Sequence, residues 1–237
     1  MNKYLTEFVG TFFLVLTIGL SVLGGTPMAP LAIGAVLMVM VYMGGHVSGG
    51  HYNPAVSLAV WLRGKLDARD IAPYMISQVL GAVAAAAVVY AVLGRTFAPA
   101  PGESVSAVGA LLVEVLYTTA LCLVVLHSAT APQTTGNSFY GLAIGFTVAA
   151  GAFAGGAISG GAFNPAVGIG PILVSAILGS SGGLGHLWLY LLGPFLGGGL
   201  AAAVYRLQQP AEATPQEALA ARPDLGEAVP TSGRRSA

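Results

Sequence analysis

The sequence predicts an all-α integral membrane protein, a bundle of six transmembrane helices carrying two re-entrant half-helices in an inverted repeat. Three observations lead there. The chain has 237 residues, of which 55% are hydrophobic and 8% charged, where an average soluble domain carries about 25% charged residues; the mean hydropathy is +0.79. Apolar runs near the about 17 to 25 residues needed to cross a bilayer fall at 3–23, 30–47, 71–93, 107–128, 138–156 and 184–207. Finally, Asn-Pro-Ala occurs twice, as Asn53-Pro54-Ala55 and Asn164-Pro165-Ala166, each time behind a Ser-Gly-Gly run. The apolar stretches that follow, 53–62 and 164–176, are too short to cross and read as half-helices.

The first span opens at once. Met1-Asn2-Lys3 runs straight into it with no small-residue cleavage pattern, which predicts an uncleaved span in place of a signal peptide. Lys3 precedes this span, Arg63, Lys65 and Arg69 lie between the second and third, and Arg206, Arg222, Arg234 and Arg235 follow the sixth, while Arg95 falls on the opposite side. The positive-inside rule then puts both termini in the cytoplasm, and the expected location is the cell membrane, plasma or inner. A formal net charge of zero implies no nucleic-acid partner. Cys122, the single cysteine, lies in the fourth span, so no intrachain disulfide can form and a packing role is expected. From 208 to 237, Pro, Ala, Glu and Arg replace the apolar pattern, which predicts a disordered cytoplasmic tail behind a membrane domain of 1–207.

Within that domain the order span, span, half-helix, span occurs twice, over about 3–95 and 107–207. Three spans per half turn the second copy upside down, so the two half-helices dip in from opposite faces and meet near the midplane. Each is built to start there: Asn is a favoured N-cap, Pro suits the first helical turn and Ala is the best helix former. Irregular backbone is tolerated at membrane depth only where it is buried in protein or lines a water-filled cavity, so the pair predicts a pore. Each half-helix N-terminus carries unsatisfied amides and about half a positive charge, and two facing ends disfavour cations. The carboxamides of Asn53 and Asn164 can donate to a passing oxygen and so interrupt a proton wire. Glycine permits φ > 0, so Gly49, Gly50 and His51, and likewise Gly160, Gly161 and Ala162, can run irregularly and turn their carbonyls to the pore. Small residues at Gly10, Gly34, Gly81, Gly145 and Gly197 suit close helix packing.

On these residues the chain resembles the aquaporin, or major intrinsic protein, family over roughly 3–207. Further matching stretches are Glu7-Phe8-Val9-Gly10-Thr11-Phe12, the run from His46 to Val56, Gln78-Val79-Leu80-Gly81-Ala82 and Gly193-Pro194-Phe195. The resemblance implies an aquaporin-like fold and passive conduction of water or small neutral solutes. It also implies one pore per subunit, usually in a homotetramer within the lipid bilayer, and no cofactor. It casts Glu7 and Glu114 as structural buried acids that accept hydrogen bonds from the re-entrant backbone. Most water-selective members carry Arg directly after the second Asn-Pro-Ala, whereas this chain has Val167. Family spacing puts the rest of the four-residue selectivity filter at Ile33, Ala152 and Gly161. A filter of Ile, Ala, Gly and Val has no charge, no histidine and no ring, unless Phe153 or Phe163 leans into the gap. Such a throat should admit glycerol, urea, ammonia or undissociated metalloid acids.

Competing readings need residues that the sequence does not supply. A secondary transporter also uses inverted repeats and broken helices, but its coupling carboxylates would have to be Glu7 and Glu114. An intramembrane hydrolase built on Ser48 and His46 lacks a Gly-x-Ser-x-Gly run, so no catalytic residue is expected. His46 and His51, flanking Ser48 in a glycine-rich loop, do not make a metal site. A non-conducting scaffold would show a closed pore.

Overall fold

The structure, a computed structural model, describes residues 1–178 and 183–209. Its helices in chain order are α1 (Asn2–Leu23), α2 (Ala29–Ser48), α3 (Pro54–Leu62), α4 (Ala68–Leu93), α5 (Ala107–Val125), α6 (Tyr140–Ser159), α7 (Pro165–Ile177) and α8 (Leu187–Gln208). Six segments are long and apolar enough to cross a membrane, and no strand occurs among the described residues. By contrast, α3 has 9 residues and α7 has 13. At about 1.5 Å per residue neither reaches across a hydrocarbon core of about 30 Å.

Several helix boundaries depart from the sequence expectation, among them the end of α6, which runs to Ser159 where 156 was expected. α4 begins at Ala68, ahead of residue 71, because Asp70 in its first turn is held by Lys3 Nζ at 2.6 Å and Tyr4 Oη at 2.7 Å. α5 ends at Val125 and continues as a π-helical turn over Leu126–Thr130. There Ser128 and Thr130 donate back to the carbonyls of Val124 and Leu126 at 2.6 Å each, and Asn137 Nδ2 caps the Ser128 carbonyl. A 3-10 turn at Leu184–His186 precedes α8. The tail expected from 208 lies, beyond Gln209, outside the described residues.

The packing repeats with the sequence. α1 packs on α2 and α4, and α5 packs on α6 and α8 in the same way; α2 meets α6 between the halves. The halves also interlock, since α7 packs on α4 and α3 on α8. Glycines set these distances, because in lipid helices associate by close backbone approach. A Cβ added to Gly34 would lie 2.5 Å from the Gly145 carbonyl oxygen, and one on Gly145 would lie 2.7 Å from the Met38 Cβ. Gly81 meets the Phe8 backbone as Gly197 meets that of Val115, so the α1–α4 and α5–α8 crossings are copies.

Both termini lie at one end of the bundle. Lys3 reaches Asp70 at the start of α4, and the Arg206 guanidinium donates to the Leu62 carbonyl at the end of α3. This is termed the termini-side end, and the opposite one, where Arg95 Nη1 donates to the Leu23 carbonyl, the far end. Gly145→Val should separate α2 from α6 and destabilise the bundle by about 1–3 kcal/mol. A lowered thermal-aggregation midpoint of the detergent-solubilised protein checks this; an unchanged midpoint contradicts the packing role.

Candidate functional site

The site is built from two re-entrant segments that precede α3 and α7. In each, two successive glycines are left-handed, with φ 89° and 63° at Gly49 and Gly50 and 93° and 63° at Gly160 and Gly161. The residue before each Asn is left-handed too: Tyr52 has φ 48° and Phe163 has φ 49°. A bulky residue there is strained by about 1–3 kcal/mol, which the glycine pattern alone does not signal.

Buried carboxylates hold this backbone. Glu7, fully buried on α1, accepts from Ser48 Oγ at 2.6 Å, the His51 amide at 3.0 Å, the Tyr52 amide at 2.7 Å and Gln78 Nε2 at 2.7 Å. Glu114, fully buried on α5, accepts from Ser159 Oγ at 2.7 Å, the Ala162 amide at 3.0 Å and the Phe163 amide at 2.7 Å. Hydrogen bonds to a charged group contribute about 1.5–3 kcal/mol each, so three of them outweigh the strain at one left-handed residue. Tyr74 Oη and Tyr190 Oη complete the brace by donating to the carbonyls of Ser48 at 2.8 Å and Ser159 at 2.6 Å. Sequence reasoning missed both tyrosines, although the Tyr-to-Gly spacing from Tyr74 to Gly81 recurs from Tyr190 to Gly197.

The two segments then tie to each other. Asn53 caps α3 by accepting from the Ala55 amide through Oδ1 at 2.8 Å, and its Nδ2 donates to the Phe163 carbonyl at 2.8 Å. Asn164 caps α7 through the Ala166 amide at 2.9 Å and donates to the Tyr52 carbonyl at 2.9 Å. Pro54 and Pro165 occupy the first turn of each half-helix, and Ala55 and Ala166 are wholly buried behind them. Each carboxamide has two N–H groups. One is spent on the opposite segment, which leaves the second.

Both asparagines line a cavity of about 450 Å³ that opens toward the far end. Ile33, Ala152, Gly161 and Val167 all line it, as do Gly50, His51, Gly160 and Ala162. Gly49 belongs instead to a second cavity, of about 690 Å³, at the termini-side end with Lys65, Asp67, Asp70 and Tyr74. His51 and Val125 line both cavities. Val167 is 5% exposed, in the first turn of α7. Phe153 is 56% exposed and is not among the residues lining either cavity. The Phe163 ring packs beside Gly151 and Gly155, with its centroid 5.3 Å from that of Tyr117. The far mouth is lined partly by Phe97, Ala98, Pro99 and Ala100 from the α4–α5 loop, a contribution that sequence reasoning did not anticipate. The halves differ chemically: His51 Nδ1 lies 3.1 Å from Ser57 Oγ, which also receives Gln78 Nε2 at 3.0 Å. Ala162, Gly168 and Pro194 stand at the matching places.

Among the described residues no group of three or more His, Cys, Asp or Glu could hold a metal ion. Ser48 Oγ, which a hydrolase would need as its nucleophile, donates to Glu7, and neither buried acid is among the residues lining the cavities.

Six crossing helices, two half-helices capped head to head and a cavity on either side of the caps define a membrane channel. Residues 1–205 match the model of the major intrinsic protein family, and the chain belongs to that family. It is 37% identical to the glycerol uptake facilitator protein-like 6 of Lactiplantibacillus plantarum, over 87% of this chain and 98% of that one. It is 34% identical to aquaporin Z of Rhodopseudomonas palustris, over 88% and 94%. The X-ray structure of the aquaglyceroporin from Plasmodium falciparum shares the fold, with a TM-score of 0.78 at 24% identity over 86% of this chain and 94% of that one. The protein is therefore a multi-pass membrane channel for the passive passage of water and small solutes; channels of this family are not enzymes.

Glu114→Ala should strand the Ala162 and Phe163 backbone amides, each at a cost of about 1–3 kcal/mol. Loss of the monodisperse protein in size-exclusion chromatography, or a large fall in thermal midpoint, is the expected outcome. A fully stable variant would show that the carboxylate does not brace the segment.

Proposed function

We propose that the chain conducts small neutral solutes, glycerol and urea among them, as well as water, through a throat bounded by Ile33, Ala152, Gly161 and Val167. The observation that carries this reading is the shared lining of one cavity by these four residues together with Asn53 and Asn164. The four bring aliphatic bulk or none, no charge and no ring. Val167 stands directly after the second Asn-Pro-Ala, where an arginine would occupy more of the throat and add a positive charge. The names of the relatives, a glycerol uptake facilitator and an aquaporin, bracket the same range of solutes.

In this reading the remaining N–H of Asn53 and of Asn164 donates to the permeating oxygen at the junction of α3 and α7. The positive ends of both half-helices repel cations there, so some ion exclusion persists without a filter arginine. The carbonyls of Gly49, Gly50 and His51 on one side, and of Gly160, Gly161 and Ala162 on the other, accept from the solute. The chain works as a homotetramer with a pore in each subunit, in a cell membrane with both termini cytoplasmic. The excess of Lys and Arg at the termini-side end supports that orientation. Residues 1–207 form the channel.

Two measurements test this. In proteoliposomes, Val167→Arg should reduce glycerol and urea permeability by at least about tenfold while reducing water much less, because it fills the throat and adds a fixed charge. Arg at mid-membrane costs about 2.5–3.5 kcal/mol on insertion scales, so folded protein is quantified first. Equal proportional loss of water and glycerol in folded protein would remove Val167 from the size limit. Mercurials should leave flux intact, because Cys122 is fully buried on α5 and is not among the residues lining either cavity. Inhibition that disappears in Cys122→Ser overturns this placement of the pore.

A further inference from the structure

Resting on that reading, we propose that Tyr117 and Gly151 are positioning residues for the throat. Neither is among the residues lining the cavities. Together they seat the Phe163 ring as a spacer between α6, which carries Ala152, and the re-entrant segment that carries Gly161. The seat of that ring sets the largest solute that passes.

The inverted repeat reveals the device, because the two halves build the same corner differently. Tyr52 and Phe163 each precede an asparagine, Gly10 and Tyr117 each stand three residues after a buried acid, and Met40 and Gly151 each stand twelve residues before the ring. In the first half the Tyr52 ring lies against Gly10 on α1, where an added Cβ would overlap it, and its hydroxyl donates to the Met40 carbonyl at 2.9 Å. In the second half the glycine has changed helix. Tyr117 fills the place of Gly10 on α5, with its ring centroid 5.3 Å from that of Phe163, and Gly151 opens the place of Met40 on α6. A Cβ added to Gly151 would lie 2.8 Å from Phe163 Cε2 and 2.9 Å from Tyr117 Cδ1, and one on Gly155 would lie 3.2 Å from Phe163 Cζ. The ring is thus held off α5 by Tyr117 and seated in a notch on α6, next to Ala152.

A ring in that seat cannot shift without moving the throat. The Phe163 amide is held by Glu114 at 2.7 Å and its carbonyl by Asn53 Nδ2 at 2.8 Å, so its backbone is pinned on both sides. Tyr117 and α6 bound the ring on two flanks. Another flank faces Gly161, where an added Cβ would lie 3.7 Å from Phe163 Cε2. Gly161 lines the throat at φ 63° and has no side chain to anchor it. Close-packed interiors transmit a change of even one methylene. Bulk added at Gly151 therefore drives the ring toward Gly161 and narrows the throat. Bulk removed at Tyr117 lets the ring fall back toward α5, the side that the Tyr52 ring takes in the first half, and widens it.

Stopped-flow glycerol and water permeabilities of proteoliposomes holding the full chain test the inference, each variant first shown to be folded by size-exclusion chromatography. Gly151→Ala should lower the glycerol-to-water ratio by about fivefold or more, because the displaced ring hinders the larger solute first. Tyr117→Ala should raise that ratio by about twofold or more, and the double variant should bring it back to within about twofold of the wild type. Opposite signs from two changes at one contact separate a spacer from mere loss of packing, which would lower both permeabilities together. A ratio unmoved by the two single variants overturns the proposal, as does an equal proportional fall in glycerol and water, or a double variant no better than Gly151→Ala. Should Gly151→Ala not fold, the rise in Tyr117→Ala decides, and its absence overturns the proposal. Wild-type protein that passes water and excludes glycerol would instead overturn the reading of the throat on which the proposal rests.

Discussion

Everything at the centre of this molecule depends on a carboxylate accepting hydrogen bonds from a backbone that would otherwise not hold its shape. Each re-entrant segment passes through three left-handed residues, and the last, Tyr52 or Phe163, is bulky. Without Glu7 and Glu114 the amides of these segments would be buried donors lacking partners, at a depth where water is scarce. With them, the left-handed turn aims Asn53 and Asn164 at each other, and the asparagines in turn brace the opposite segment. The glycine-mediated crossings of α1 on α4 and α5 on α8 matter for the same reason, because they set the helices that carry the acids and the bracing tyrosines at their working separation.

Much of this was legible in the sequence, and the reasons are physical. Span length, the doubled Asn-Pro-Ala and the low charge gave the helix order because each reflects a local constraint: bilayer thickness, helix initiation and the cost of burying charge. The roles of Asn53 and Asn164 as helix caps were readable from residue type alone. The tertiary couplings were harder to read. Tyr74, Tyr190 and Gln78 act through partners far away in sequence, and nothing local distinguishes a bracing tyrosine from a packed one. The left-handed φ of Tyr52 and Phe163 runs against local preference and exists only because tertiary bonds enforce it. The loop from Phe97 to Ala100 reaches the mouth by folding back over α1, where Phe97 packs on Gly19, and loops of that kind carry no periodicity to read. The helix ends at Ala68 and Val125 were displaced by side-chain bonds to Asp70 and from Ser128.

The two halves share a frame and diverge in what they place on it. Glu7 and Glu114, Tyr74 and Tyr190, Ser48 and Ser159 are interchangeable in role. Around them the first half keeps His51, Ser57 and Gln78 in a connected polar cluster, whereas the second has Ala162, Gly168 and Pro194 at those places. The brace is therefore independent of the chemistry it supports, and one side of the asparagine pair could become aliphatic without loss of the fold.

The two mouths end up chemically unlike, with Phe97 and Pro99 at one and Lys65, Asp67 and Asp70 at the other. For an uncharged permeant this asymmetry cannot rectify. Detailed balance requires that any preference for entering from one side be repaid on leaving by it, so at low concentration net flow follows the gradient alone. What asymmetry can do is discriminate among blockers by the side they approach from. An apolar plug finds a matching vestibule only at the far end, and a charged one meets fixed ions of both signs only at the other.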